Sequence, residues 1–295
     1  SSPNATFPPL RAMKCPNTSL MSYLTRRTPF TKMIAGNVAA DTPAAGSFAA
    51  GNGTQGNPWQ ISNLAELRRF MEDSSPGFFP RNSYYKLIAN IEASDTATWF
   101  NGLGWLPVDA STMQGFDPAG FEIQNLRINR PTTDYVGFFG KFNSTNGPLA
   151  NFKFVGGQIA GQDYVGTLIG FGSPMTISNS SSTATVSGRS QVGGLAGLAS
   201  STTINASSAT GNVTGAGDIV GGLVGNAAGA SVFSSSATGQ VTGKKQVGGL
   251  VGVLTQGSGS GLTTSWASGR ARLQRQRPMQ SKRRVLLSQR LPAWL

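Results

Sequence analysis

Two aspartates, Asp134 and Asp163, lie 29 residues apart, each immediately before a Tyr-Val-Gly. Paired carboxyls are what glycoside cleavage requires, one as acid and one as base or nucleophile, several ångströms apart. If the two segments stack as neighbouring strands, the carboxyls sit about 4.8 Å apart. Asp218 falls two residues before its own Val, and Gln191 and Gln246 occupy the preceding position in other copies, so the column is not uniformly acidic. Surface solvation is the plainer expectation, ahead of a calcium contact or catalysis. The segment Gly51-Asn52-Gly53-Thr54-Gln55-Gly56 matches the dinucleotide fingerprint. That motif needs a helix to receive the pyrophosphate, and Pro58 opposes one, so a loop is expected. Gly239 to Lys245 has three rather than four residues between its glycines and Lys245 where a magnesium-binding hydroxyl belongs. It reads as a repeat corner with two exposed lysines. Thr183, Thr185, Thr202, Thr203, Thr210 and Thr238 raise an ice-binding face, but their rows are irregular and β-propensity explains them. The aromatics Trp59, Trp99, Trp105, Phe116 and Phe121 concentrate upstream. Core packing is the default for them, with a carbohydrate-stacking surface on Trp99, Trp105 and Phe116 as the alternative.

Absences narrow the chemistry further. The 295 residues include no His, which removes His-dependent nucleophile triads, HExxH zinc sites and imidazole proton shuttles. Cys15 is the sole cysteine, so there is no intrachain disulfide framework or multi-cysteine metal site. No cofactor and no metal are expected. The net charge of +12 is unevenly placed: residues 1–50 carry +4, residues 270–295 carry +8, and 51–269 hold 11 basic and 11 acidic residues. A neutral body has no global field to steer a polyanion, so specific nucleic-acid recognition is not expected. No run of 18 apolar residues exists, so no transmembrane segment is expected. The opening at Ser1, without Met or a signal peptide, reads as a fragment of something longer.

The elements that must position these residues are repeats. Val136-Gly137-Phe138-Phe139-Gly140 recurs as Val165-Gly166-Thr167-Leu168-Ile169-Gly170 and then as Val-Gly-Gly-Leu-x-Gly at 192, 220 and 247, in steps of 29, 27, 28 and 27 residues. Ile177, Ile204 and Val232 keep the same beat, as do Val186, Val213 and Val241, each flanked by Ser, Thr, Asn and Gly. Three β-branched segments per period predict three strands and three corners, one turn of a parallel β-solenoid whose apolar columns stack inside. The second-position glycines Gly137, Gly166, Gly193, Gly221 and Gly248 are present in every copy, which predicts a corner needing either positive φ or a missing Cβ.

Before the array, Asn63 with Glu66 forms a capping-box pattern, and Leu64, Leu67, Phe70 and Met71 share one helical face. Such a helix suits the first exposed coil. Strands are predicted over 84–91 and 121–128. Residues 1–50 read as a poorly ordered leader, 51–130 as the capping helix and irregular first coils, 131–269 as the solenoid, and 270–295 as a basic tail. The abrupt loss of Gly/Ser/Thr texture at Arg270 suggests a reading-frame slip or a foreign fusion, with a tail that binds anionic surfaces as the alternative.

The Val-Gly-Gly-Leu-Val-Gly unit, with Ser-Ala-Thr-Gly-Asn-Val-Thr-Gly at 208–215, resembles the GLUG motif of large bacterial surface and secreted proteins, including filamentous-haemagglutinin-type adhesins. The resemblance covers about 51–269 and includes the preceding Pro58-Trp59-Gln60-Ile61 and Asp134-Tyr135-Val136-Gly137 blocks. Thr167, the short first copy and the interrupted last copy depart from the pattern. What it implies is a bacterial extracellular or cell-surface protein, and it carries no catalytic residue onto any position here.

The expected fold is therefore all-β, a right-handed parallel β-helix with a short N-terminal capping helix. The expected function is a non-catalytic stalk or binding surface of a secreted or surface adhesin-like protein, its partner a host or matrix glycan or protein. Alternatives are a polysaccharide lyase or hydrolase on a β-helix scaffold and a non-catalytic region of a large secreted protease.

Overall fold

The computed structural model describes residues 47–73, 83–110, 113–143, 147–255, 257 and 260–274, all within the unit spanning 41–295. The expectations for most of the 1–50 leader and for residues 275–295 lie outside these.

Helix α1 (Leu64–Asp73) forms where the capping pattern predicts. The Asn63 side-chain oxygen accepts the Glu66 N–H at 3.0 Å. Glu66 reaches back one residue further than a standard box, accepting from the Ser62 hydroxyl at 2.9 Å. Leu67, Phe70 and Met71 are fully buried. Phe70 meets Tyr85, Phe116, Phe138 and Phe139 at ring distances of 4.7 to 6.4 Å, so the helix closes the first end of the core. A short parallel ladder of Trp59–Ile61, Tyr84–Leu87 and Gly115–Asp117 lies beside it. Phe48 stacks on Trp59, so the ordered body begins before residue 51.

The remainder is a parallel β-solenoid. One coil runs through Ser181–Ser182, Thr185–Gly188, Ser190–Gly193, Ala196–Ser200 and Thr202–Asn205 before Ser208 begins the next. These strands belong to five ladders, taken here in that order as first to fifth, holding seven, six, four, six and five strands. Five strands per coil replace the three expected, for two physical reasons. The glycine motif bends at Gly194-Leu195, so Val-Gly and Ala-Gly fall on different ladders. In the later coils the first ladder's inward position, occupied by Ile123 and Phe154 upstream, holds Ser182, Ala209 and Ala237, too small to register as an apolar column. The predicted strands over 84–91 and 121–128 are likewise each broken by a corner, the second at Asn125 with φ 56°.

Register is set by the repeats themselves. Val136 bridges Val165, which pairs with Val192, then Val220, then Val247. Ile177, Ile204 and Val232 stack in the fifth ladder, and Val186, Val213 and Val241 in the second. None of the five second-position glycines has positive φ. Their requirement is the missing Cβ: at Gly166 one would sit 2.6 Å from the Ile169 carbonyl oxygen, and at Gly193, Gly221 and Gly248 it would press closer still on backbone oxygens. Backbone cannot swing aside as a side-chain tip can.

Third-position residues meet the first ladder's inward residue in the same coil, and the pairs are matched in size. Phe138 faces Phe154 at 5.6 Å between ring centroids. Thr167 accepts a hydrogen bond from the Ser182 hydroxyl at 2.9 Å and donates its own to the Gly194 carbonyl at 2.7 Å. Gly194 and Gly222 lie against Ala209 and Ala237, where a Cβ would come within 2.6 and 2.8 Å of the alanine methyl. A serine ladder, buried at Ser180, Ser207 and Ser235, closes the corner before the first ladder. The Ser180, Ser207 and Ser235 backbone N–H groups each donate to the hydroxyl of the next serine, Ser207, Ser235 and Ser265, at 3.1 to 3.2 Å. Each of these four hydroxyls donates in turn to the carbonyl two residues before it.

The repeat does not stop at Gly269. Ala271–Leu273 pairs with Val241–Gly243 as one more strand of the second ladder. A parallel ladder is held by backbone groups, so the change to Arg-rich sequence does not prevent its addition. The solenoid therefore extends past the expected boundary at 270, carrying Arg270 and Arg272 on folded structure.

Candidate functional site

Three groups of side chains are candidates: the acidic column, the upstream aromatics, and the outward faces of the ladders. The acidic column follows the third ladder's edge as Asp134, Asp163, Ser190, Asp218 and Lys245, one position off the Gln191 and Gln246 alignment expected from sequence. The Asp134 carboxylate accepts the Asp163 backbone N–H at 3.1 Å. Arg189 Nε donates to Asp163 Oδ1 at 2.8 Å while its Nη2 donates to Oδ2, and the Ser190 N–H adds a bond at 3.1 Å. These bonds, that from Arg189 foremost, hold the Asp163 carboxyl below its ordinary range and raise the Arg189 guanidinium. Asp218 pairs with Lys245 at 2.9 Å. Asp163 is thus ionised and engaged, the opposite state from a general acid, which needs a carboxyl held neutral. Among the described residues no three Cys, Asp or Glu side chains gather as a metal site.

The upstream aromatics are corrected by their burial. Trp99 is 1% exposed, Trp105 0% and Phe116 6%, so none presents a ring face to a ligand. Trp105 stacks on Phe138 at 4.9 Å and donates its indole N–H to the Phe138 carbonyl at 3.0 Å. The Arg68 guanidinium lies over Trp99 at 5.2 Å, and Phe116 packs edge-on to Phe70. These rings fill the irregular first coils, where no glycine motif brings the walls together. Arg130 secures the turn beside them, its Nε donating to the Trp105 carbonyl at 2.9 Å. Burial lowers its pKa to about 10.

The glycine-rich 51–56 segment is a loop leading into a strand rather than a helix: Asn57 N–H donates to the Thr54 carbonyl at 3.1 Å, and Trp59–Ile61 follows. In the 239–245 segment Val241–Gly243 is a strand, Lys244 is exposed and Lys245 pairs with Asp218.

Two outward faces were not anticipated. On the third ladder Tyr135 and Tyr164 stand outward at φ 57° and 58°, stacked at 4.7 Å and 10°. Phe171 meets Tyr135 edge-on at 6.2 Å, and Lys141 Nζ lies 4.4 Å from the Tyr135 ring centre. The recurrence of Asp-Tyr-Val-Gly was the available signal. On the second ladder, one outward column runs Arg127, Gln158, Thr185, Asn212, Gln240 and Arg270. A parallel column two residues on includes Ser187, Thr214, Thr242 and Arg272. Between them is a shallow depression of about 440 Å³. Arg127 bonds Gln158 across coils, and Asn212 Oδ1 accepts the Gln240 N–H at 2.9 Å. Sequence shows these residues only as turn-rich polar spacing; the ladder register aligns them.

No protein-family model matches the chain. Over 155 residues it is 34% identical to halomucin of Haloquadratum walsbyi, covering 50% of this chain and 2% of that protein. Over 117 residues it is 33% identical to a candidate Gly-rich membrane protein of Evansella cellulosilytica, covering 38% of this chain and 12% of the relative. The chain thus spans a small part of either. The solved structure of a candidate immunoglobulin A1 protease from Bacteroides ovatus superposes with a TM-score of 0.55 at 20% identity, over 76% of this chain and 70% of that one. The likeness is one of fold. No helix among the described residues is long and apolar enough to cross a membrane.

Proposed function

We propose that this chain is a non-catalytic segment of an extracellular or cell-surface protein of GLUG-repeat, adhesin-like type, a rigid solenoid that spaces or presents what it is joined to. The observation that carries this reading is the unbroken register of the repeats, Val136 to Val247 bonded coil to coil. Rigidity in such a rod comes from hydrogen bonds between neighbouring coils, and its length scales with repeat number. The names of the two relatives, a halomucin and a membrane protein, support a surface location. Host or matrix glycans and proteins are the partners such a surface would meet. A second reading, a non-catalytic region of a large secreted protease, is favoured by the fold neighbour and by nothing in the side chains.

The test is antibody labelling of intact source cells and their medium. Labelling at the surface or in the medium is expected, and signal only after lysis overturns the reading. An HExxH segment elsewhere in the full-length gene would favour the protease-associated version.

A further inference from the structure

The second ladder's outward face runs the length of the rod without an acidic residue in either column. Arg127 stands at one end and Arg270 and Arg272 at the other. Five ladder steps separate Arg127 from Arg270, about 24 Å at the spacing of parallel strands. Between them every coil presents hydroxyl or amide groups, among them Thr185, Asn212 and Thr214, around the 440 Å³ depression. We propose that this face binds a linear carboxylated polysaccharide lying along the solenoid axis, which deepens and rests on the surface-protein reading above.

The chemistry selects that class. Hydroxyls and amides repeated coil by coil offer donors and acceptors to a sugar chain's own hydroxyls without demanding one fixed residue. Guanidinium groups receive carboxylates in a two-pronged geometry that lysine does not offer. The face lacks aromatic rings, so it has none of the stacking platforms that hold single-stranded nucleic acid. It also lacks exposed apolar anchors of the kind that seat a peptide or a lipid surface. The tyrosine face is a weaker candidate for sugar, because Tyr135 and Tyr164 turn their ring planes toward each other.

The experiment uses the full chain on surfaces carrying polygalacturonate, alginate or hyaluronate, with neutral dextran and single-stranded DNA as comparisons, at physiological salt. Saturable binding to at least one carboxylated polymer and none to dextran is expected. Thr185→Asp with Thr214→Asp places two like charges on the face and is expected to weaken binding at least about tenfold. Thr176→Asp, on the outward side of the fifth ladder, is expected to leave it unchanged. Circular dichroism establishes that each variant is folded. Failure to bind all three polymers, equal binding to DNA, or no difference between the double variant and Thr176→Asp overturns the proposal. Surface labelling without polymer binding sinks this proposal alone, whereas absence of labelling sinks the reading beneath it.

Discussion

Between residues 138 and 154 five of the six buried apolar residues are rings, Phe138, Phe139, Phe142, Phe152 and Phe154, with Leu149 the sixth. Between 192 and 241 every buried apolar residue is Val, Leu, Ile or Ala. The corners of the later coils close on glycines whose missing Cβ would meet backbone. The matching early corner at Gly137 is looser, its nearest backbone atoms 2.9 Å from where a Cβ would sit, and the space is filled with rings. The later coils bring backbone against backbone and leave little to fill. Thr167 and Ser182 stand at the changeover, a hydroxyl pair of intermediate size. The two halves should therefore fail in opposite ways, the first when a side chain shrinks and the second when one grows.

The largest effect is expected from Phe138→Ala, which empties a site bordered by Trp105, Phe154 and Phe70 and should cost about 3–5 kcal/mol by urea unfolding. Gly221→Ala should cost about 1–3 kcal/mol through overpacking against the Val224 carbonyl. Gly137→Ala, whose nearest obstacles are at 2.9 Å, should lose measurably less; equal losses would break the contrast between halves. At the changeover, Thr167→Val keeps shape but removes two buried hydrogen bonds, about 1–3 kcal/mol. Thr167→Gly combined with Ser182→Ala recreates the later coils' pair, and its unfolding midpoint should exceed that of Thr167→Gly alone. A simple sum of the two single losses would contradict size matching. Ser207→Ala strands the Ser180 N–H and should cost about 1 kcal/mol.

The smallest effect is electrostatic and distinguishes the surface from both cores. Asp163 has its carboxyl lowered by Arg189, so its contribution is present above the ordinary aspartate pKa and lost as pH falls through the lowered one. Arg189→Gln should move the Asp163 titration, followed by carboxyl NMR, back toward the ordinary value. An unmoved titration would remove the ion pair from the account.

Much of the fold was legible because in-register stacking repeats one side-chain pattern per coil. Val165, Val192, Val220 and Val247 announced their own pairing. The count of strands was not legible, because the first ladder's inward Ser182, Ala209 and Ala237 carry no apolar signature and the bend at Gly194-Leu195 falls inside an apparently continuous motif. The aromatic surface reading of Trp99, Trp105 and Phe116 misjudged direction: large rings in irregular coils carry no period to say which way they face. The polar columns of the second ladder were hidden for a related reason, since Thr185, Asn212 and Gln240 look unrelated until register aligns them.

By itself the sequence determined the period, the interior columns and the capped first end, because hydrophobic spacing and helix capping are local and survive without coordinates. The tertiary structure decided where each coil bends, why the second-position glycines are needed, and which polar residues share a face. Those outcomes depend on the distance between neighbouring backbones, which no single segment specifies.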